Sequence, residues 1–303
     1  MRNHAVALWR PPFTLDPGSV LGPLSRGRGS LNFQRHRGVW WLAANTPAGP
    51  GTLALLHRPD GDIEAEAWGD GAGFLLDGVP ALLGADDDDT GFVAHHDVIA
   101  EARRRFPGLR LGATGRVWDS LVLAVLEQKV ASPEALRSWS ELCRWFGTRA
   151  PGPGPDRLRV PPDPLAIRSI VDWNWHRIGV DLKRRTALIN AARVAPRLEE
   201  AVALRGVAGR ALLRKVPGIG VWTASEIAQR AWGDPDAVSF GDYNIPSIVG
   251  HTLLGRKIDD EGMADVLAPY APQRQRAIRY LEVAGARKPR FGPRIELRDY
   301  RAM

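Results

Sequence analysis

The segment from Leu213 to Ala224, LRKVPGIGVWTA, reads as a short helix that stops at a Pro-Gly-Ile-Gly turn, with a second helix starting at once. Gly218 and Gly220 let the backbone turn tightly and put no side chain between its amides and an approaching anion. The unpaired N–H groups and the positive dipole end of the second helix point at the same spot, which makes an anion site indifferent to sequence. Such a site suits the phosphate backbone of DNA, and Thr223 could add a hydroxyl contact to the same phosphate. A plain helix–turn–helix connection with glycines at a C-cap is the competing reading. The hairpin speaks for DNA and says nothing of catalysis.

A residue with catalytic potential lies about twenty positions downstream, in Ala237 to Gly250, AVSFGDYNIPSIVG. Gly241-Asp242 follows an extended apolar stretch and precedes a helix, so the helix dipole and free amides hold the carboxylate ionised. Breaking an N-glycosidic bond builds positive charge on the sugar. A preorganised carboxylate facing that sugar stabilises the oxocarbenium-like state and can orient or activate water. Asp242 is therefore the catalytic candidate. Asp is also a common N-cap, and taken alone the residue reads as a structural cap.

These residues need elements to hold them. Residues 31–84 read as sheet-rich, with short strands at Val39 to Ala44, Thr52 to His57 and Ile63 to Trp68 punctuated by Gly, Pro and an Asp60-Gly61 turn. A small antiparallel domain over residues 1–88 follows. From about Asp89 the period becomes helical, with candidates at 93–106, 117–131, 133–146, 163–171, 181–195, 209–215, 221–232, 243–253 and 272–284. The stretch Ala150 to Pro164, rich in Pro and Gly, reads as a loop between two helical lobes of a region spanning 89–303. Four consecutive carboxylates, Asp86 to Asp89, read as a solvated linker or helix cap, and His95-His96 has no accompanying metal-ligand spacing.

With 303 residues, 44% of them hydrophobic, the chain can bury a large core, and an excess of 41 Lys and Arg over 34 Asp and Glu raises the odds of a polyanionic partner. The single cysteine, Cys143, rules out an intramolecular disulfide, a four-cysteine zinc site and a cysteine-ligated iron–sulfur cluster within the chain. No metal and no cofactor is expected. With one cysteine a reducing cytosol fits best; the amino terminus lacks the apolar core of a signal peptide and no segment has 18 consecutive apolar residues, so no membrane role is expected, and the chain is expected to be a monomer.

The hairpin and the aspartate about twenty residues beyond it resemble the helix-hairpin-helix DNA glycosylases, whose signature is an LPGIG-type hairpin followed at that spacing by an aspartate in a G/P-D-type turn. The resemblance extends to the bacterial alkylated-base branch, the inducible type of 3-methyladenine DNA glycosylase II. It is carried by Trp9-Arg10-Pro11-Pro12-Phe13, Arg105 to Leu111 (RFPGLRL), Ala124 to Ser132 (AVLEQKVAS), Leu182-Lys183-Arg184-Arg185, the hairpin, and Pro272 to Tyr280. It implies an α+β fold: a small antiparallel β-rich N-terminal domain followed by a two-lobed all-α helix-hairpin-helix glycosylase domain with the active site between the lobes. On it, Asp242 is the catalytic residue, and the partner is duplex DNA containing damaged bases in the bacterial nucleoid.

In bifunctional relatives a lysine two residues after the last hairpin glycine forms a Schiff base with the sugar; here that position is Trp222, so water is the expected nucleophile. The resemblance makes Trp222 an aromatic wall of the base pocket with Tyr243 beside it; helix packing is the alternative for each. Gln128 and Lys129 stand where the family fills the gap left by a flipped base. Relatives often carry an apolar wedge at Lys129's position, so the lysine either intercalates or touches phosphate. Glu226 stands where close relatives can carry an aromatic. It is either an acid that favours a cationic base or a solvated or ion-paired residue. A catalytically silent damage sensor and an enzyme for oxidised or mismatched bases are the competing functions, and Cys143, with no partner cysteines, argues against a methyl-transferring sensor.

Overall fold

The computed structural model describes residues 3–25 and 29–288. Five antiparallel strands form one sheet in the order β1 (His4–Trp9), β5 (Ile63–Gly69), β4 (Gly49–His57), β3 (Val39–Thr46), β2 (Phe33–His36). The three strands expected from alternation are present, and the Asp60-Gly61 turn closes β4 onto β5 with Gly61 at a φ of +90°. Ile63, Ala65 and Ala67 of β5 face inward and pack, with Leu53 and Leu55 of β4, under the short helices Ala72–Asp77 and Val79–Leu82. The fold is α+β, as expected.

The helical region has two cores. One gathers Val117, Trp118, Leu121 to Leu126, Trp139, Leu188, Leu213 and Ile227, with the helix Trp118–Leu126 buried over most of its surface at its centre. The other joins residues 92–109 to residues 238–281, so the chain starts one lobe, builds the other and returns. Trp118–Leu126 starts where Glu199 accepts from the amides of Val117 (2.7 Å) and Trp118 (2.9 Å), a cap supplied from a distant part of the chain.

Two expectations need correction. The acidic run is a structural tie: the Asp87 side chain is buried and accepts from Arg276 Nη2 (2.5 Å) and Nη1 (2.9 Å) and from the Leu111 amide (3.0 Å), while Asp86 and Asp89 pair with Arg205 and Arg103. Nothing in the local sequence marks Arg276 as its partner. The stretch 150–164 is anchored as well, because Arg159–Val160 pairs with Thr148–Arg149 in a two-residue ribbon. Burial pushes the Cys143 thiol well above its ordinary value, with Asp119 adding to it, which suppresses the thiolate a methyl acceptor needs. Among the described residues no helix is long and apolar enough to cross a membrane.

Candidate active site

The hairpin is formed by the helices Gly206–Leu213 and Val221–Ala231, and its two glycines have different duties. Gly218 has φ +97°, and a Cβ there would lie 2.5 Å from Cβ of Ala187, so it lets the turn lie against the helix Leu182–Arg193. Gly220 is extended and a Cβ there would meet nothing within 4 Å. It sits at the N-cap of Val221–Ala231 with no side-chain cap, which leaves that helix end open to an anion.

Gln128 Nε2 donates to the carbonyl of Gly218 (2.9 Å) and to Thr223 Oγ1 (2.8 Å). Thr223 is only 2% exposed and its hydroxyl oxygen accepts from Gln128, which makes it part of the brace of the hairpin. Gln128, for its part, locks the turn after Trp118–Leu126 onto the hairpin. Lys129 follows in the left-handed region, φ +56°, and is exposed at the tip of that turn. A lysine held there is locally strained, a state that persists when its surroundings demand it. The sequence-expected helix through 131 ends at Leu126 for this reason.

Asp242 is fixed on both carboxylate oxygens. Its Oδ1 accepts from the amides of Asn244 (2.7 Å) and Ile245 (2.9 Å), at the start of the helix Ile245–Leu254, and its Oδ2 accepts from Trp222 Nε1 (3.1 Å). The capping role and an aimed carboxylate thus coexist, and the indole ties the aspartate to the hairpin helix. Asp242 lines a cavity of about 360 Å3, a volume within the roughly 300–1,000 Å3 of ligand pockets. Pro23 and Leu24 of the β-rich region, the segment Arg110–Gly112 and both lobes contribute walls.

Glu226 lines the same cavity, but it is ion-paired: Oε2 pairs with Arg230 Nη1 (2.9 Å) and Oε1 accepts from Ser239 Oγ (2.6 Å). Burial works against the Arg230 charge, yet Glu226, Glu127 and Glu282 outweigh it and hold that guanidinium above its usual value. Neither Trp222 nor Tyr243 is a cavity wall. Trp222 packs on the helical core and reaches the site through its N–H, and Tyr243 is 73% exposed with Lys288 Nζ 3.8 Å from its ring centroid. Arg230, Asn244, Gln275 and Arg279 line the cavity and were not singled out from sequence. Gln275 and Arg279 do lie in the matched stretch Pro272 to Tyr280, and Arg230 stands one helical turn from Glu226.

By sequence, no family model and no curated protein matches the chain. Solved structures do match in shape. A 3-methyladenine DNA glycosylase from Archaeoglobus fulgidus gives a TM-score of 0.76 at 15% identity, over 91% of this chain and 97% of that one. MBOgg1 in complex with a low-affinity DNA ligand gives 0.72 at 15% identity, over 94% and 98%. An 8-oxoguanine glycosylase/lyase from Clostridium acetobutylicum gives 0.69 at 10% identity, over 94% and 99%. Over more than nine-tenths of its length, the chain has the fold of these DNA glycosylase structures.

Proposed function

We propose that this protein binds duplex DNA at the open end of the hairpin helix and hydrolyses the N-glycosidic bond of a damaged base flipped into the cavity beside Asp242. The observation that carries this reading is the setting of Asp242: an aspartate gripped by two backbone amides and an indole N–H, on the wall of a cavity, next to the hairpin helix. In the reaction the C1′–N bond breaks and its electron pair leaves with the base. Asp242 stabilises the positive charge that builds on the sugar, the water oxygen bonds to C1′, and the proton lost by water passes to the Asp242 carboxylate and on to solvent, or to the departing base where that base leaves as an anion. Position 222 offers an indole and no amine, so the reading is of a monofunctional enzyme. The resemblance implies an alkylated base.

The test is base release. The protein should free a modified base from at least one duplex carrying 3-methyladenine, 7-methylguanine, hypoxanthine, ethenoadenine or 8-oxoguanine, leaving a strand cut only by alkali or heat. Borohydride should trap no covalent adduct through residue 222. Tight lesion binding with no release from any duplex would replace the enzyme with a sensor.

A further inference from the structure

The cavity has walls unlike those a cationic base needs. No Trp, Tyr, Phe or His side chain is among the described residues that line it. A purine methylated at N3 or N7 carries a positive charge, and proteins hold such cations against the faces of aromatic rings. Nor do the carboxylates offer spare negative charge. Glu226 is paired with Arg230, Asp234 with Arg210 and Glu282 with Arg279, which leaves Asp242 to face the sugar.

The walls are instead rich in fixed donors and acceptors. Gln275, 3% exposed, lines the cavity, and its Oε1 is buried with no hydrogen-bond partner among the described residues. A buried acceptor without a donor is costly, and the broad terminal torsion of glutamine lets a small turn bring it to a base N–H. Arg110 and Arg230 also line the cavity; Arg110 Nη1 donates to the Asp87 carbonyl and Arg230 to Glu226 and the Pro23 carbonyl, so each meets a base only with its remaining N–H groups. A neutral base departs with the electron pair of the broken bond and gains negative charge, which guanidinium donors stabilise; a cationic base departs neutral and gains nothing from them.

Resting on the glycosylase reading, we infer that this cavity takes a neutral base with an amide-type edge, N–H beside C=O, as in oxidised or deaminated purines, in preference to a cationic alkylated purine. Gln275 is a specificity residue that accepts from that N–H.

The experiment is single-turnover release by the wild-type protein from duplexes bearing 8-oxoguanine, hypoxanthine, 3-methyladenine or 7-methylguanine, each rate divided by the spontaneous loss of the same base. The division is needed because cationic bases are better leaving groups without any enzyme. Larger rate enhancements for 8-oxoguanine or hypoxanthine than for either methylated base support the inference. Larger enhancements for the methylated bases overturn it and leave the glycosylase reading standing, whereas release from no duplex overturns both. Gln275→Leu, similar in size, should lower the enhancement for the neutral bases roughly ten- to hundredfold while 3-methyladenine, which has no N–H beside a C=O, duplex affinity and melting temperature change little. An equal loss for 3-methyladenine, with folding and affinity intact, would remove Gln275 from specificity. The comparison among bases in the wild type decides the substrate class whether or not the variant folds.

Discussion

At the scale of single residues, the site depends on hydrogen bonds between groups far apart in sequence. Asp242 could be read from its turn, because a carboxylate before a helix has only a few physical roles. Its bond from Trp222 could not, since local pattern gives no hint that an indole twenty positions upstream points its N–H at that carboxylate. Thr223 shows the same limit: its hydroxyl oxygen accepts from Gln128, in the turn after Trp118–Leu126, a partner that the local pattern does not show. Trp222→Phe keeps the packing and removes the donor. A hydrogen bond to a charged group contributes about 1.5–3 kcal/mol, so single-turnover base release should fall roughly ten- to hundredfold. Duplex affinity should hold, because the hairpin amides are untouched, and a matching loss of affinity would mean that Trp222 serves the DNA interface.

At the scale of elements, what the sequence revealed depended on how cleanly each segment shows its period. β3 to β5 alternate or are bounded by turns and were legible. β1 was not, because its inward positions are Ala5 and Ala7 while Val6 and Leu8 face outward, the reverse of the usual pattern. The hairpin was legible as an element, yet its two glycines look equivalent until their neighbours are known. Gly218→Ala must place a Cβ against Ala187 at a positive φ and should cost about 1–3 kcal/mol, seen as a lower melting temperature. Gly220→Asp enters open space and gains a side-chain cap, so folding stability should be unchanged or slightly raised. Its carboxylate would stand where the phosphate binds, and duplex affinity should drop at least about tenfold. Unchanged affinity would move the DNA contact elsewhere.

At the scale of the whole molecule, composition pointed to a large folded chain and patterning to a β-rich region followed by helices, but the interleaving of the lobes was beyond sequence. Residues 92–109 join residues 238–281 across the intervening lobe, a pairing set by long-range packing alone. The same limit hid the role of Asp87, which looks like one solvated acid among four and is the buried partner of Arg276. Asp87→Ala would strand that guanidinium in the interior and should destabilise the protein by about 3–5 kcal/mol in denaturant unfolding. A loss under 1 kcal/mol would show that the linker does not depend on the pair. Because the cavity draws walls from Pro23 in the β-rich region and from both lobes, its shape depends on this packing.

All three scales converge on the carboxylate of Asp242, and one substitution tests it most directly. Asp242→Asn keeps the side-chain shape and an oxygen for the amides of Asn244 and Ile245, so the cap survives while the negative charge and the bond from the Trp222 N–H are lost. Single-turnover base release and duplex affinity should be measured side by side for the wild type and the variant, with melting curves to confirm folding. If Asp242 stabilises the charged sugar, release should slow by on the order of a hundred- to a thousandfold, about 3–4 kcal/mol, with affinity and melting temperature nearly unchanged. Equal release rates in the two proteins would contradict the account and leave Asp242 as a helix cap alone.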